Sequence, residues 1–125
     1  MTDEQNKLPS PDRVIHEPAR LAILTVLSSC HAADFLFLHN VTGLSKGNLS
    51  VQITNLEEAG LVEVEKEIVE KKTRTSVRLS NHGKKGIADY WRTMDEIRAQ
   101  MEQENKSRHF RARRSVPGFV PRPAK

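Results

Sequence analysis

The sequence predicts an α+β domain that is mainly helical and spans residues 12–104, between a polar leader and a basic tail. Three observations predict it. Apolar residues recur at the three- and four-residue spacing of helices through most of this region. After Gly60 the spacing changes to the two-residue alternation that is typical of strands. From residue 105 onward neither pattern is present.

Composition limits the class of protein. The chain has 125 residues, of which 37% are hydrophobic and 29% are charged, which suffices for one modest core. Its longest apolar-rich stretch, residues 21–27, is far shorter than a membrane-spanning helix, and its polar start is not that of a signal peptide. Its one cysteine cannot form an internal disulfide, which fits a reducing compartment. We therefore expect a cytoplasmic protein without a membrane segment.

The net charge of +4 is unevenly distributed along the chain. Residues 105–125 carry seven of the twenty Lys and Arg residues and no acid, so the first 104 residues hold 13 basic against 16 acidic groups. A basic surface over the whole domain therefore cannot be the argument for nucleic-acid binding. Such an argument has to depend on local clusters of basic residues.

The N-terminal part predicts a loose leader and then a core helix. Residues 1–11 are polar and contain two prolines, which indicates no stable structure. Pro18 suits the first position of a helix. The apolar face of that helix comprises Leu21, Ile23, Leu24 and Leu27. A short second helix, preceded by a brief strand at Phe35, is predicted to end near Thr42.

A third helix with one narrow apolar seam is predicted over residues 46–59. Ser45 offers a side-chain oxygen to its N-terminus, and Gly60 can adopt the left-handed conformation that ends it. At about 100° per residue, the seam consists of Leu49, Ile53 and Leu56. Small polar side chains cover the opposite side and suit hydrogen bonds to base edges and phosphates. The short turn at Gly43 between the second and third helices is the signature of a helix-turn-helix.

A β-hairpin and a long helix complete the predicted order. Val62 and Val64 alternate with glutamates, and Val77 and Leu79 alternate with polar residues, which predicts two half-buried strands. Residues 70–75 between them form a charged, flexible tip.

The last helix is predicted to begin at Ser80 or Asn81 and to run to about residue 103. Its apolar stripe comprises Ile87, Tyr90, Trp91, Met94, Ile97 and Met101. This stripe continues for about four turns, longer than a small domain needs to cover its own core. We therefore predict a dimer interface. Its residues are Trp91, Met94, Ile97 and Met101. Residues 105–125 are predicted to be a disordered basic tail.

This order of elements resembles that of the small MarR/ArsR-like winged helix-turn-helix transcriptional regulators. The resemblance covers about residues 12–101. It is carried mainly by the segments PARLAIL at 18–24, TGLS at 42–45, LEEAGLV at 56–62 and LSNHG at 79–83. It implies that the third helix enters the major groove of DNA and that the hairpin, or wing, reaches the neighbouring backbone. It also implies that the last helix pairs two subunits. The wing is expected to have two strands, with three as the alternative.

Carried over residue by residue, the resemblance implies two clusters of DNA contacts. Those on the third helix are Lys46, Gly47, Asn48, Ser50, Val51, Thr54 and Asn55. Those on the wing are Lys71, Lys72 and Arg74. Many relatives have Arg or His at the position of Val51, so strong guanine recognition is not expected there. The expected partners are a pseudopalindromic DNA duplex, a second copy of the chain, and an unidentified small-molecule effector.

Three other functions fit the sequence less well: a metal sensor, an enzyme and a protein-interaction module. Cys30, His31, Asp34 and His39 suggest a metal sensor, but a single cysteine and the absence of a His pair at ligand spacing favour structural roles. No nucleophile–base pair, phosphate loop or paired carboxylate motif indicates an enzyme, and no cofactor is expected. A winged helix that binds a partner protein instead of DNA is the remaining alternative.

Overall fold

The computed structural model describes residues 7–114, with side chains for residues 7–106. In chain order, the elements are helix α1 (Pro18–Ser28), strand β1 (Ala33–Asp34), helix α2 (Phe35–Thr42), helix α3 (Lys46–Glu58), strand β2 (Val62–Val69), strand β3 (Lys72–Leu79) and helix α4 (Asn81–Arg114). The strands form one antiparallel sheet in the order β1-β3-β2. The mainly helical α+β fold is confirmed, and the wing has three strands. Contacts divide the chain into a larger unit, Ser10–Thr93, and a smaller one, Met1–Pro9 with Met94–Lys125.

The core of the larger unit lies between the sheet and the apolar faces of the helices. Its fully buried large side chains are Ile15, Ile23, Leu24, Leu27, Leu38, Leu49, Leu56 and Val77. The predicted seam of α3 is buried throughout, whereas Leu21 of α1 is only half-buried. Each such side chain stabilises the fold by about 1.5–3 kcal/mol through removal of apolar surface from water.

Local hydrogen bonds account for the ends of the helix-turn-helix. The hydroxyl of Ser45 accepts from the N–H of Asn48 at 3.1 Å and begins α3, as predicted. Gly43 ends α2 with φ of 74°, and Gly60 follows α3 with φ of 76°. Side chains with a Cβ are strained in this left-handed region, so glycine permits both sharp turns.

The beginning of α4 is bonded to the turn that follows α3. Ser80 Oγ accepts from the N–H of Gly83 at 2.9 Å and donates to the carbonyl of Gly60 at 2.6 Å. A Cβ at Gly83 would lie 1.9 Å from the carbonyl oxygen of Leu61, so this position requires glycine. The predicted start at Ser80 or Asn81 is therefore confirmed.

Two predicted boundaries around the sheet are wrong. The short strand is Ala33–Asp34, and Phe35 already belongs to α2 because Asp34 accepts from the N–H of Phe37 and caps the helix there. The wing tip is shorter than residues 70–75, because the strand pairing extends outward to Val69 and Lys72.

The last helix continues beyond residue 103 to Arg114, so residues 105–114 of the predicted disordered tail are helical. These residues lack an apolar period, but they include no Pro or Gly and are rich in Arg, a strong helix former. Residues 115–125 lie outside the described part of the chain, as do residues 1–6 of the predicted leader. Residues 7–11 contain no helix or strand.

Candidate nucleic-acid interface

The outer face of α3 is open to solvent. Every residue predicted there is exposed: Lys46, Gly47, Asn48, Ser50, Val51, Thr54 and Asn55. Val51 is 56% exposed, although it is apolar. Because the buried seam anchors the other side of the helix, these seven positions form one continuous surface of small, mostly polar side chains.

Gln52, which was not predicted as a site residue, connects this surface to α1. Its Nε2 donates to Asn48 Oδ1 at 3.2 Å, and its Oε1 accepts from Arg20 Nη1 at 3.1 Å. The four-residue spacing of Asn48 and Gln52 is a signal for the first bond. The second bond joins residues 32 positions apart, so no local pattern indicates it.

Arg20 is itself held by the turn that precedes α1. Its Nε donates to the carbonyl of Val14, and its Nη1 lies 3.7 Å from Glu17 Oε2. Burial raises the pKa of Glu17, but hydrogen bonds from the N–H groups of Arg20 and Ala19 and the charge of Arg20 outweigh it, so the pKa is below its usual value. The ionised Glu17 therefore helps to fix the Arg20 guanidinium beside Gln52.

The wing ends in a two-residue turn. Its residues, Glu70 and Lys71, have φ of 52° and 67°, which is uncommon for residues other than glycine. Two successive residues with positive φ form the turn that matches the twist of a hairpin. Lys71 therefore lies at the outermost point of the wing, and Lys72 is the first residue of β3.

Arg74, unlike these two lysines, is engaged by a carboxylate. Its Nη2 lies 3.1 Å from Asp34 Oδ2. The N–H of Phe37 donates to Asp34 and lowers the pKa of its carboxyl group, and Arg74 lowers it further against the opposing effect of burial. A DNA phosphate would therefore share the Arg74 guanidinium with Asp34.

Acidic residues share one face of the wing with Arg74. Glu67 lies directly opposite Arg74 on the paired strand, and alternation places Glu63 and Glu65 on the same face. Glu63 is paired with Arg78 at 2.9 Å. The charges on this face nearly cancel, so the turn at Lys71 is better suited than the face to attract phosphate.

Two of the four residues considered for a metal site have structural contacts. Asp34 caps α2 and pairs with Arg74, and His39 Nδ1 lies 2.7 Å from the carbonyl of Leu44. Cys30 is half-buried at the end of α1. Within residues 7–106 no group of three His, Cys, Asp or Glu side chains could hold a metal ion.

The apolar stripe of α4 changes from buried to exposed along the helix. Ile87 and Tyr90 are almost fully buried, whereas Trp91 is 43% and Met101 is 51% exposed. The two apolar residues between them, Met94 and Ile97, are half-buried. None of the helices in the described part of the chain is long and apolar enough to cross a membrane.

A family model for a winged helix DNA-binding domain matches residues 19–98. The chain belongs to this family. The match includes α3 and the wing, which form the candidate interface, and the first part of α4. The predicted winged helix-turn-helix fold and the resemblance to MarR-like DNA-binding regulators are confirmed.

The chain is also similar to individual proteins. The uncharacterized protein MJ0432 of Methanocaldococcus jannaschii is 27% identical over 78 residues, which cover 62% of this chain and 85% of that protein. The structure of a transcriptional regulator homologue from Pyrococcus horikoshii OT3 is 27% identical, covers 72% of this chain and 89% of its own, and has a TM-score of 0.68. A MarR family transcriptional regulator from Silicibacter pomeroyi is 23% identical over 67% of this chain and 54% of its own, with a TM-score of 0.53, and shares the fold.

Proposed function

We propose that this chain binds a pseudopalindromic DNA duplex as a homodimer and regulates transcription, with α3 in the major groove and the wing on flanking phosphates. The observation that carries the proposal is the exposed, polar outer face of α3. Ser, Thr and Asn side chains offer donors and acceptors to base edges, which a face of Lys–Glu pairs would not do as well. The buried seam holds the helix against the core and leaves this face open to a partner.

The proposed contacts are of two kinds: contacts to base edges, which give sequence specificity, and contacts to phosphates, which position the protein. Asn48, Thr54 and Asn55 are the residues that we assign to base edges, and Val51 suits the methyl group of thymine. Lys46, Gly47 and Ser50 are assigned to the first phosphates beside the groove. Lys71 and Lys72, with a smaller contribution from Arg74, are assigned to phosphates beyond it.

A second copy of the chain gives the protein two reading helices. The exposed apolar residues of α4 are the proposed seam, and half-sites in successive major grooves are about 34–36 Å apart. In this proposal the protein acts in the cytoplasm, has no enzymatic role, and responds to a small-molecule effector whose identity the resemblance does not give.

Selection from a random duplex library, followed by affinity measurements at several salt concentrations, tests the proposal. We expect a motif with two half-sites and a log-log salt slope of about −3 to −7, since each phosphate contact contributes about 0.9. Combined Asn48→Ala and Thr54→Ala changes should alter the motif, because these side chains lie on the reading face. Lys72→Ala should weaken binding to all sequences alike. Equal affinity for every duplex, or a flat salt response, would contradict groove reading.

One observation favours the alternative of a protein-interaction module. Helix α2 exposes three large apolar side chains, those of Leu36, Phe37 and Val41, which are 58%, 45% and 53% accessible. Exposed apolar groups of this kind are typical of protein interaction sites. The same selection separates the two functions, because an interaction module would enrich no DNA motif.

A further inference from the structure

We propose that Arg20 and Gln52 fix the orientation of the Asn48 side-chain amide, so that Asn48 offers hydrogen-bond donors to DNA and selects guanine over cytosine. This inference rests on the proposed function, because it concerns how the same face of α3 reads a base pair. It adds two positioning residues, neither of which was predicted as a DNA contact. Arg20 belongs to α1, outside the reading helix.

The polarity of this chain of hydrogen bonds follows from the chemistry of arginine. A guanidinium has donors and no acceptor, so the Gln52 atom that lies 3.1 Å from Arg20 Nη1 has to be its oxygen. The other end of the Gln52 amide is then the NH₂ group, which only donates. The Asn48 atom that lies 3.2 Å from it therefore has to be Oδ1.

Arg20 can set this polarity because its own position is fixed. The carbonyl of Val14 accepts from its Nε, and the carboxylate of Glu17 lies 3.7 Å from its Nη1. Glu17 is in turn bonded to the first turn of α1. Arg20 and Gln52 are half-buried, whereas Asn48 is exposed. The network thus begins inside the domain and ends at the surface, where it orients one side chain.

The part of the Asn48 amide that is not bonded to Gln52 determines which base Asn48 prefers. With Oδ1 engaged by Gln52, the Nδ2 amino group is the part of the amide left to donate outward. Asn48 lies in the first turn of α3, the part of a reading helix that contacts base edges. In the major groove guanine presents the acceptors N7 and O6, whereas cytosine presents the N4 donor. Without the bond to Gln52, the amide could rotate by about 180° and present either its NH₂ group to guanine or its oxygen to cytosine. The network prevents this rotation.

The test compares base preferences of full-length variants, again by selection from a random duplex library. Asn48→Ala identifies the base pair that Asn48 reads, because preference is lost there. At this pair we expect the wild type to favour guanine over cytosine about tenfold. Gln52→Glu should reverse the preference, because the carboxylate accepts from both Arg20 and Asn48. The Asn48 amide then turns and presents Oδ1 to the N4 donor of cytosine.

Three further variants complete the test. Gln52→Ala and Arg20→Met both release the amide without adding an acid, so each should bring the guanine and cytosine preferences near to equal. Asn55→Asp makes the same amide-to-carboxylate change on α3 but does not contact Asn48. Because Asn55 is itself assigned to a base edge, this variant should weaken binding and change the motif at the base pair that Asn55 reads, while the preference at the Asn48 base pair stays intact. Thermal unfolding establishes that each variant is folded.

The outcomes distinguish this inference from the proposed function. If Gln52→Glu and Gln52→Ala bind the wild-type motif with an unchanged preference at the Asn48 base pair, the positioning role is wrong and the proposed function stands. If Asn48→Ala loses no base preference, Asn48 is not a reader and the inference is also wrong. If the wild type enriches no motif at all, the proposed function itself fails.

Discussion

At the scale of single residues, Asp34 links the helix-turn-helix to the wing through one carboxylate. One oxygen accepts from the N–H of Phe37 at 2.7 Å and caps α2, and the other lies 3.1 Å from Arg74. Both contacts favour the charged form, which is why the pKa of Asp34 is below its usual value. Since Arg74 is also a proposed phosphate contact, this pair connects stability with DNA binding.

We predict that Asp34→Asn lowers stability in a pH-dependent way. The unfolded pKa is about 3.9 and the folded pKa is lower, so the ionised carboxylate stabilises the fold above about pH 4. This contribution is lost as the pH falls through the folded pKa. The asparagine keeps a capping oxygen and removes an exposed ion pair, so the loss at pH 7 should be about 1 kcal/mol or less. Urea unfolding at pH 7, 5 and 3 measures it, and a difference that is as large at pH 3 as at pH 7 would contradict the assignment.

Gln52 shows why part of the site could not be predicted from the sequence. The exposed positions of α3 follow from helical geometry alone, because the seam of Leu49, Ile53 and Leu56 determines the opposite side. The role of Gln52 depends on Arg20, whose place beside it results from the packing of α1 on α3. Periodicity reports which residues face the core, but it carries no information about hydrogen bonds between helices.

At the scale of elements, predictions were most accurate where a local bond determines a boundary. The Ser45 cap and Gly60 locate α3 to within one residue of the predicted end. The wing tip was less predictable, because Lys72–Thr75 contain no apolar residue to show the two-residue period. They are a strand because the register set by Val62 and Leu79 continues outward along the hairpin. The apolar stripe does not predict the full length of α4, because helix propensity extends the helix beyond the stripe.

The turn of the wing leads to a prediction in which one substitution raises the stability of the fold and weakens DNA binding. Lys71 has φ of 67°, and a non-glycine residue in this region costs about 1–2 kcal/mol. Lys71→Gly should therefore raise the free energy of unfolding by about 0.5–1 kcal/mol, after the extra entropy of glycine in the unfolded chain. If Lys71 contacts phosphate in each subunit, the magnitude of the log-log salt slope should decrease by about 2 for a dimer.

A matched control is available at the neighbouring position. Glu70 has φ of 52°, so Glu70→Gly relieves similar strain but removes a negative charge instead of a positive one. The Glu70→Gly variant should show a similar increase in the free energy of unfolding and bind DNA at least as tightly as the wild type. Urea unfolding and fluorescence anisotropy measure the two effects. An unchanged salt slope in Lys71→Gly would show that the wing turn does not contact the backbone.

At the scale of the whole molecule, charge and apolar surface have separate places in the chain. The first 104 residues hold fewer basic than acidic groups, so this part of a single chain has no strong general attraction to DNA. Affinity then has to come from the number of specific contacts, which a second subunit doubles. The family match shows the fold of one chain, and the proposal that two chains pair rests on the apolar stripe of α4 and on its exposure.

The dimer proposal leads to a prediction for Ile97, at the centre of the proposed seam. Ile97→Asp places a charge among Trp91, Met94 and Met101, and an unpaired charge buried in an interface costs several kcal/mol. The dissociation constant of the dimer should rise at least a hundredfold, which corresponds to about 2.7 kcal/mol. Ala99→Asp adds the same charge to an exposed residue on the other side of α4 and should leave the dimer intact.

Sedimentation velocity over a range of concentrations measures this change, with circular dichroism to verify that both variants are helical. A folded Ile97→Asp monomer should also lose most of its affinity for a two-half-site duplex while keeping weak binding to one half-site, because α3 of each subunit is unaltered. An Ile97→Asp variant that stays dimeric would place the interface elsewhere on the molecule. A wild-type protein that is monomeric at high concentration would exclude pairing through α4, and recognition would then depend on a single copy of α3.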